Sequence, residues 1–329
     1  MVANDMRSGA RVAIRDIHAG VSAPITVAGS LNMDFVVQVQ TLPRPGETVL
    51  GGGFVTIPGG KGANQACAAG RLGGRVRMLG RVGDDVFGRQ LLESLASAGV
   101  DTKAVRVSVA VPSGVALIFV ETGGQNEIVV ASGANGLLSP EDVAQDLGDA
   151  SGFLLLQLET PLATIERAAA LASERGVTVI LDPAPAHPLP EALLARVSVL
   201  TPNESEALVL LDRRGASVSL ADAPEIARAL LKRGPRSVIL KLGEQGAFLQ
   251  DASGGRHFPG FAVKAVDATA AGDTFGGALG VALAEGRSMD EAIRFANAAA
   301  ALSVTRLGAQ ASMPERREVE KLLAGRSAS

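Results

Sequence analysis

Residues 267–275 read Asp-Ala-Thr-Ala-Ala-Gly-Asp-Thr-Phe, and they lead into a helix predicted for residues 271–285. Small residues precede this helix, and Asp273 stands in its first turn. The free amides and the positive end of a helix dipole attract phosphate groups. A carboxylate beside an anion site is repulsive, so its presence favours a general base that acts on a hydroxyl. The alternative is that Asp273 only caps the helix, as acidic residues often do.

The segments on either side of this motif alternate between short apolar strands and helices. A buried strand is predicted at 25–29, and a strand at 153–157, a helix at 161–175 and a strand at 177–181 follow the same pattern. Strands that alternate with helices of about 10–15 residues predict a mostly parallel sheet with helices on both faces. The predicted fold class is therefore α/β, a three-layer α/β/α sandwich.

Two β-rich segments, at about 35–57 and 113–130, do not fit this alternation. The first contains short β-rich pieces, among them Thr48–Leu50, and the second has the pattern of a hairpin. We expect the two segments to pair with each other as a small sheet that projects from the main one. Residues 1–24 are predicted to be a flexible extension, and residues 25–329 one domain with these segments inserted.

The composition excludes several classes of protein. The chain has 329 residues, of which 47% are hydrophobic and 20% charged, so it is not generally disordered. A net charge of −3 gives no basic field for nucleic acid, and one cysteine with three histidines excludes a disulfide framework and disfavours a zinc site. No apolar run approaches the ~20 residues that span a bilayer. The sequence thus predicts a cytoplasmic protein without a membrane or nucleic-acid partner.

Common nucleotide and hydrolase motifs do not fit the chain. The Rossmann pattern fails because Gln65 stands where its third glycine is required. The Walker A pattern fails because Lys61 is followed by Gly62 instead of Ser or Thr. No serine lies in a G-x-S-x-G elbow, so a hydrolase of that class would lack its nucleophile.

A second polar motif, Thr201–Glu206, begins another predicted helix. Asn203 has the right position to cap this helix. Asn203 and Glu206 are also three residues apart and present oxygens on one side, which suits Mg²⁺ held through water beside nucleotide phosphates. Both interpretations are open from the sequence.

Taken together, two segments resemble the two signatures of the PfkB carbohydrate kinases: Gly59–Ala66 and Ala271–Phe275. Within this family the resemblance is closest to the ribokinase branch, and it covers about residues 25 to 323. Six further segments match in order: Gly29–Asp34, Pro45–Thr48, Gln157–Glu159, Asp182–Ala186, Thr201–Glu204 and Thr305–Gln310.

The resemblance implies a ribokinase-like fold in which a β-sheet lid covers the sugar. The implied reaction is phosphorylation of the 5-hydroxyl of D-ribose by ATP, which gives D-ribose 5-phosphate and ADP. Mg²⁺, an activating K⁺ and a homodimer joined through the lid are implied with it. By the same resemblance Asp273 is the general base, and the amides of Ala271, Gly272 and Asp273 form the anion hole.

The resemblance also assigns binding residues. The residues implied to hold the sugar are Asn32, Asp34, Gly60, Lys61, Asn64, Glu159 and Asp273. Carboxylates and amides suit a pentose, which offers many hydroxyls and little apolar surface. The simpler alternatives are that Asp34 is a turn residue and that Lys61 is a solvated loop charge. The residues implied to bind ATP are Asn203, Lys241, Leu242, Gly243, Glu244, Gln245, Gly246, Gly272 and Asn297.

The implied metal sites are of two kinds. Asn203 and Glu206 would position Mg²⁺ through water. The positions that match the monovalent cation site are Asp267, Thr269, Ser303, Arg306, Gly308 and Ser312. The chain departs from the family pattern at Ala268, where Thr is more usual, and at Thr269 and Ser303, where apolar residues are frequent.

Two alternatives to a ribose kinase remain from the sequence. One is another sugar or nucleoside kinase of the same family, although a chain without Trp or Tyr offers few aromatic rings to stack on a base. The other is a catalytically silent sugar or nucleotide sensor on the same scaffold. A sensor has no need of a general base, so Asp273 argues against it.

Overall fold

A nine-stranded sheet lies at the centre of the computed structural model, which describes residues 22–123, 126–147, 151–213 and 218–326. The strands of the described chain are β1 (Ile25–Ala28), β2 (Asn32–Val39), β3 (Phe54–Gly59), β4 (Val76–Gly83), β5 (Asp101–Ser108), β6 (Gly114–Glu121), β7 (Asn126–Ala131), β8 (Phe153–Leu156), β9 (Thr178–Leu181), β10 (Val199–Leu200), β11 (Ser237–Lys241), β12 (Ala247–Asp251) and β13 (Gly254–Phe258). The helices are α1 (Lys61–Arg71), α2 (Val86–Ser97), α3 (Pro140–Asp146), α4 (Leu162–Glu174), α5 (Glu191–Leu194), α6 (Glu204–Leu210), α7 (Ala223–Leu231), α8 (Ala271–Ala284), α9 (Met289–Ser303) and α10 (Arg316–Arg326).

The main sheet has the order β13-β12-β11-β10-β9-β8-β1-β4-β5. The strands from β11 to β5 pair in parallel, and only the β11–β12–β13 end is antiparallel. Short strands such as Ile25–Ala28 are buried along their whole length, which is typical of a parallel sheet covered on both faces. The predicted mostly parallel sheet is confirmed.

Hydrophobic residues on opposite faces of this sheet pack into two separate clusters. Leu155 belongs to a cluster with residues of α1, α8 and α9, whereas its neighbours Leu154 and Leu156 belong to a cluster with residues of α4 and α7. Successive side chains of a strand point to opposite faces, so helices cover both sides of the sheet. The three-layer α/β/α arrangement is therefore confirmed.

The second sheet has four strands in the order β3-β2-β6-β7, and we call it the small sheet. Strand β2 pairs in parallel with β6, from Asn32 opposite Gly114 to Val39 opposite Glu121. The outer pairs, β2–β3 and β6–β7, are antiparallel. The two β-rich segments thus pair with each other, as the sequence predicts.

Some element boundaries differ from the prediction. Thr48–Leu50 is not a strand, and β2 begins at Asn32 instead of Phe35. Strand β5 was not predicted because it is an edge strand with alternating polar residues, and α5 was not predicted because it is a single turn. The predicted extension over residues 1–24 lies mostly outside the described residues. Of its described part, Ala23 donates a backbone hydrogen bond to Ala284.

None of the helices in the described ranges combines the length and the apolar character needed to cross a bilayer.

Candidate active site

The candidate site lies where the carboxyl end of β1 faces the amino termini of α1 and α8. This edge of a parallel sheet is the usual ligand-binding edge of α/β proteins. The residues implied to hold the sugar reach it from four places in the chain. Asn32 and Asp34 lie on β2, Gly60 to Asn64 lie at the start of α1, Glu159 follows β8, and Asp273 lies in the first turn of α8.

Glu159 joins three of these segments through one carboxylate oxygen. Its Oε2 accepts hydrogen bonds from Ser30 Oγ at 2.5 Å, from the Lys61 amide at 3.1 Å and from Asn32 Nδ2 at 3.4 Å. Ser30 has no predicted role, although its place in the Gly-Ser turn after β1 is a signal in the sequence. The carboxylate therefore fixes the relative positions of β2 and the start of α1.

Asn135 fixes the orientation of the Asn32 side chain. The sequence does not predict this role of Asn135. Its Nδ2 donates to Asn32 Oδ1 at 2.7 Å, and its Oδ1 accepts from the Leu31 amide at 2.9 Å. Both asparagines are buried. Because the Asn32 oxygen is already engaged, the Asn32 amide group is the part of this side chain that points toward Glu159.

Asp273 does not cap α8, so that alternative is wrong. The residue at the cap position is Ala270, which has left-handed backbone angles and makes no side-chain cap hydrogen bond. The buried Asp273 carboxylate instead accepts a hydrogen bond from Asn64 Nδ2 at 2.9 Å. It is thereby directed across to α1 and the predicted sugar residues.

The amides at the start of α8 differ in part from the prediction. The Ala271 amide donates to the Ala268 carbonyl oxygen at 3.2 Å, and the Thr274 amide donates to Ala270 at 2.8 Å. Within the described chain, no hydrogen-bond acceptor is recorded for the amides of Gly272 and Asp273. Two of the three predicted amides therefore remain available to an anion.

The pKa values of the carboxyl groups are shifted by burial. Burial, followed by the charges of Glu159 and Asp273, raises the pKa of Asp34 to about 7, although Lys61 opposes the shift. Burial also raises the pKa of Asp273 to about 6, against the effects of Lys61 and the Asn64 hydrogen bond. Titration near neutral pH is what a general base requires.

Lys61 lies among these carboxylates and is not a solvated loop charge. Burial lowers its pKa, but the charges of Asp273, Asp182 and Glu159 outweigh burial, so the net pKa lies above its ordinary value. Lys61 therefore stays protonated. Asp34, for its part, is buried on a strand and is not a turn residue.

A second polar cluster surrounds Asp182, for which the sequence predicts no individual role. Its Oδ1 lies 2.8 Å from Lys241 Nζ, and its Oδ2 accepts from Gln65 Nε2 at 3.1 Å. Glu206 Oε2 lies 4.0 Å from the same Lys241 Nζ. The ammonium therefore lies within reach of two carboxylates.

Asn203 and Glu206 form a capping box at the start of α6. Asn203 Oδ1 accepts from the Glu206 amide at 2.8 Å, and Glu206 Oε2 accepts from the Asn203 amide at 2.7 Å. The capping interpretation is confirmed. Burial raises the pKa of Glu206, and Asp182 adds to this while Lys241 opposes it. The role of these residues toward Mg²⁺ stays a prediction.

The predicted nucleotide loop, residues 241–246, forms a tight turn after β11. The Leu242 amide donates to the Gly246 carbonyl oxygen at 2.8 Å. A Cβ atom at Gly246 would lie 2.1 Å from the Phe258 carbonyl oxygen, which also accepts from Asn297 Nδ2 at 3.1 Å. The loop and Asn297 thus meet at the end of β13, and their role in binding ATP stays a prediction.

Three of the six residues predicted for a monovalent cation come together. Asp267 accepts from the Thr269 amide at 2.9 Å and from the Gly308 amide at 2.8 Å. The hydroxyls of Ser303 and Ser312 donate to carbonyl oxygens within their own turns. Arg306 pairs with Glu318 instead. The described ranges contain no group of three or more His, Cys, Asp or Glu residues that could hold a metal.

This arrangement suits transfer of an anionic group to a hydroxyl. A buried carboxylate stands beside two available amides at a helix amino terminus, where negative charge is stabilised. Polar side chains on one side can hold a polyhydroxyl compound. On the other side, the Lys241 ammonium lies next to the same helix end.

Comparison with known proteins gives a consistent result. A family model described as pfkB family carbohydrate kinase matches residues 23–316. The chain is 43% identical over 304 residues to a ribokinase of Haemophilus influenzae, covering 91% of this chain and 98% of that protein. It is 37% identical to a deoxyribokinase of Salmonella typhi, covering 88% of this chain and 95% of that one. The structure of an Arabidopsis thaliana ribokinase complexed with ribose and ATP matches with a TM-score of 0.84 and 35% identity, covering 92% and 99%.

Proposed function

Because the chain belongs to the pfkB family of carbohydrate kinases, we propose that it phosphorylates the 5-hydroxyl of D-ribose with ATP. The products are D-ribose 5-phosphate and ADP. The observation that carries this proposal is the buried Asp273 carboxylate, which is hydrogen-bonded to Asn64 at an uncapped helix amino terminus. A sensor has no use for such a group, and the ribose- and ATP-bound relative supports the choice of substrates.

In the proposed reaction Asp273 takes the proton of the 5-hydroxyl. The hydroxyl oxygen forms a bond to the γ-phosphorus as the bond from that phosphorus to the ADP oxygen breaks. The amides of Gly272 and Asp273 stabilise the negative charge on the transferring group, and Ala271 contributes through its backbone turn instead of its amide. Such positioning and charge stabilisation are the main contributions a protein makes to phosphoryl transfer.

The sugar is proposed to lie between the small sheet, acting as the lid, and the start of α1. Asn64 Oδ1 is buried, and no hydrogen-bond partner for it is found among the described residues. A buried polar atom without a partner is costly, so this oxygen is suited to accept a bond from a sugar hydroxyl. Asn32, Asp34, Lys61 and Glu159 supply the remaining donors and acceptors. Gly60 lets the start of α1 lie against Asn32, because a Cβ atom there would be 2.6 Å from the Asn32 backbone nitrogen.

ATP is proposed to occupy the side bordered by the turn at 241–246, Asn203 and Asn297, with its γ-phosphoryl group at Gly272. Mg²⁺ is proposed here because the carboxylates of Glu206 and Asp182 both lie near Lys241 Nζ, and carboxylate oxygens with water are its preferred ligands. The ion would neutralise charge on the phosphates. Asn203 and Glu206 would hold it through water.

The proposed K⁺ site lies between the loops that carry Asp267 and Gly308. The hydrogen bonds of Asp267 already hold these loops together beside α8, so a cation bound to their backbone oxygens would further order the start of that helix.

Replacing K⁺ by tetramethylammonium is expected to lower kcat about tenfold, which corresponds to about 1.4 kcal/mol of activation free energy. Removing Mg²⁺ with EDTA should abolish turnover. A kcat that does not respond to K⁺ would contradict the cation site.

A homodimer joined through the small sheet is proposed because apolar side chains of this sheet are exposed. Phe54, Leu117 and Val129 are exposed on one face, and Val55 and Ile128 are exposed on the other. Exposed apolar side chains that gather on one sheet are typical of an interface. Sedimentation of the full chain tests this directly, because a monomer at micromolar concentration would contradict it.

A competition assay tests the substrate. ADP release from the full chain is measured with ribose, 2-deoxyribose, fructose and adenosine, each with Mg²⁺ and K⁺ present. We expect kcat/KM for ribose to exceed that for 2-deoxyribose by about 10-fold or more. The polar groups of a site built to bind a hydroxyl are left unpaired when that hydroxyl is missing. Preference for another compound would assign a different kinase activity. Ribose binding by calorimetry without ADP release would indicate a silent sensor.

A further inference from the structure

The position of the Lys241 side chain is not explained by its assignment to the nucleotide loop. It is the last residue of β11, and its side chain extends to the amino terminus of α8 instead of following the turn at 241–246. A Cβ atom built on Gly272 would lie 3.2 Å from Lys241 Nζ. The ammonium is therefore next to the two amides proposed to hold the transferring phosphoryl group.

The neighbours of Lys241 fix the position of its ammonium group but do not occupy all of its hydrogen-bond donors. Its side chain is 12% exposed, and the side chain of Asp182, its partner at 2.8 Å, is 4% exposed. Glu206 at 4.0 Å is beyond hydrogen-bond distance. An ammonium group has three donors. Within the described chain only the bond to Asp182 is recorded for Nζ, so two donors remain for a ligand.

An anionic ligand at this point needs a cation beside it. Among the described residues five carboxylates face the site and two ammonium groups oppose them, so the net charge alone repels an anion. The carboxylates are those of Asp34, Glu159, Asp182, Glu206 and Asp273, and the ammonium groups are those of Lys61 and Lys241. Lys61 serves the sugar side, where it faces Asp273 and Glu159. The phosphate side is left with Lys241 as its permanent cation.

We propose that Lys241 donates hydrogen bonds to the phosphoryl group during its transfer, and that Asp182 positions Lys241 for this contact. This inference rests on the proposed kinase function. As the new bond to the sugar oxygen forms and the bond to the ADP oxygen breaks, the proton goes to Asp273, and Lys241 stays protonated throughout. The γ-phosphoryl group is charged already in bound ATP, but only in the transition state does it lie between the attacking and the leaving oxygen. An ammonium group placed for that position therefore stabilises the transition state most.

The experiment compares the full chain with Lys241→Met, which keeps the length of the side chain and removes its charge. We expect kcat to fall about 10²-fold, in line with the loss of one transition-state donor. The Kd for ADP by calorimetry should change less than about threefold, because ADP lacks the transferring group. The KM for ATP should also change less than about threefold, because the contact is proposed to act in the transition state. Lys241→Arg should recover only part of kcat, since a guanidinium fork differs in shape from an ammonium. The exposed Lys103 provides the control variant Lys103→Met, which should behave as the unmodified chain.

Lys241→Met leaves Asp182 buried without its partner, and this can impair folding. The double variant Lys241→Met/Asp182→Asn removes both charges and is expected to fold with the same loss of kcat. Wild-type kcat in either folded variant would overturn the inference. A loss of ADP affinity equal to the loss of kcat/KM would also overturn it, because Lys241 would then bind the nucleotide in the ground state. If the unmodified chain does not phosphorylate ribose, the proposed function fails instead.

Discussion

Asp273→Asn is expected to lower kcat by a factor of about 10³, within the range known for loss of a general base. The asparagine keeps the size of the side chain but cannot accept the proton of the sugar hydroxyl. Substrate binding should change much less, because Glu159 keeps its contacts and the introduced amide oxygen can still accept the hydrogen bond from Asn64. The measurement is steady-state kinetics of ADP release with saturating ribose and ATP.

The same substitution should make the folded protein more stable at alkaline pH. The pKa of Asp273 rises from 3.8 to about 6 on folding, so the folded state prefers the protonated form. The ionised carboxylate therefore opposes folding above pH 6, and this cost disappears as the pH falls toward 4. A pKa difference of about two between the folded and the unfolded state corresponds to at most about 3 kcal/mol in the free energy of unfolding. We expect a gain of about 1–2 kcal/mol at pH 8 and none at pH 4, measured by urea unfolding.

Two controls make this prediction specific. Asp84→Asn removes a carboxylate that is exposed, so its effect on kcat and on the free energy of unfolding should be small. In the unmodified chain kcat/KM should rise with pH through the pKa of Asp273, about 6. Near-normal turnover of Asp273→Asn would show that another group takes the proton.

The elements of the main sheet could be predicted because their signals are local. Buried strands such as β1 and β8 are continuous apolar runs, and their helices have regular spacing. The edge strand β5 has no such run, since one side of it faces solvent. The pairing of β2 with β6 was predicted only because both segments broke the same alternation.

The site was predicted less completely, because its contacts join distant parts of the chain. Asn32 and Asn135 are 103 residues apart, and no local pattern at Asn135 indicates its role. Ser30, Asp182 and the side-chain direction of Lys241 were missed for the same reason. The motifs identify residue types, whereas the partners of each side chain depend on how the segments pack.

Helix capping illustrates this limit. Asn203 and Asp273 both stand at the start of a helix, and the sequence permits a capping role for each. Asn203 does cap α6, with a reciprocal bond from Glu206. At α8 the left-handed conformation of Ala270 replaces a side-chain cap, and Asp273 is turned toward Asn64. The backbone of the preceding loop therefore decides whether a polar side chain at the start of a helix caps it or is directed elsewhere.

Gly62→Ala is expected to have the largest effect on folding and to impair activity with it. A Cβ atom at Gly62 would lie 2.7 Å from the Gly29 carbonyl carbon and 2.7 Å from the Ser30 nitrogen. Both are backbone atoms of the turn after β1, so no side-chain rotation can relieve the clash. Helix α1 must move away, which breaks the bond of 2.9 Å from the Ala63 amide to the Ser30 carbonyl oxygen.

The expected loss is about 3 kcal/mol in the free energy of unfolding, at the upper end for overpacking. We also expect kcat/KM to fall at least about 10²-fold, because α1 carries Lys61 and Asn64, and a displacement of about 1 Å has such an effect. Gly325→Ala is the matched control, since it is also helical but has no atom within 4 Å of its added Cβ. Alanine there should stabilise α10 by up to about 1 kcal/mol. If both variants were equally stable and active, close packing of α1 on the β1 turn would not be what holds the sugar residues in place.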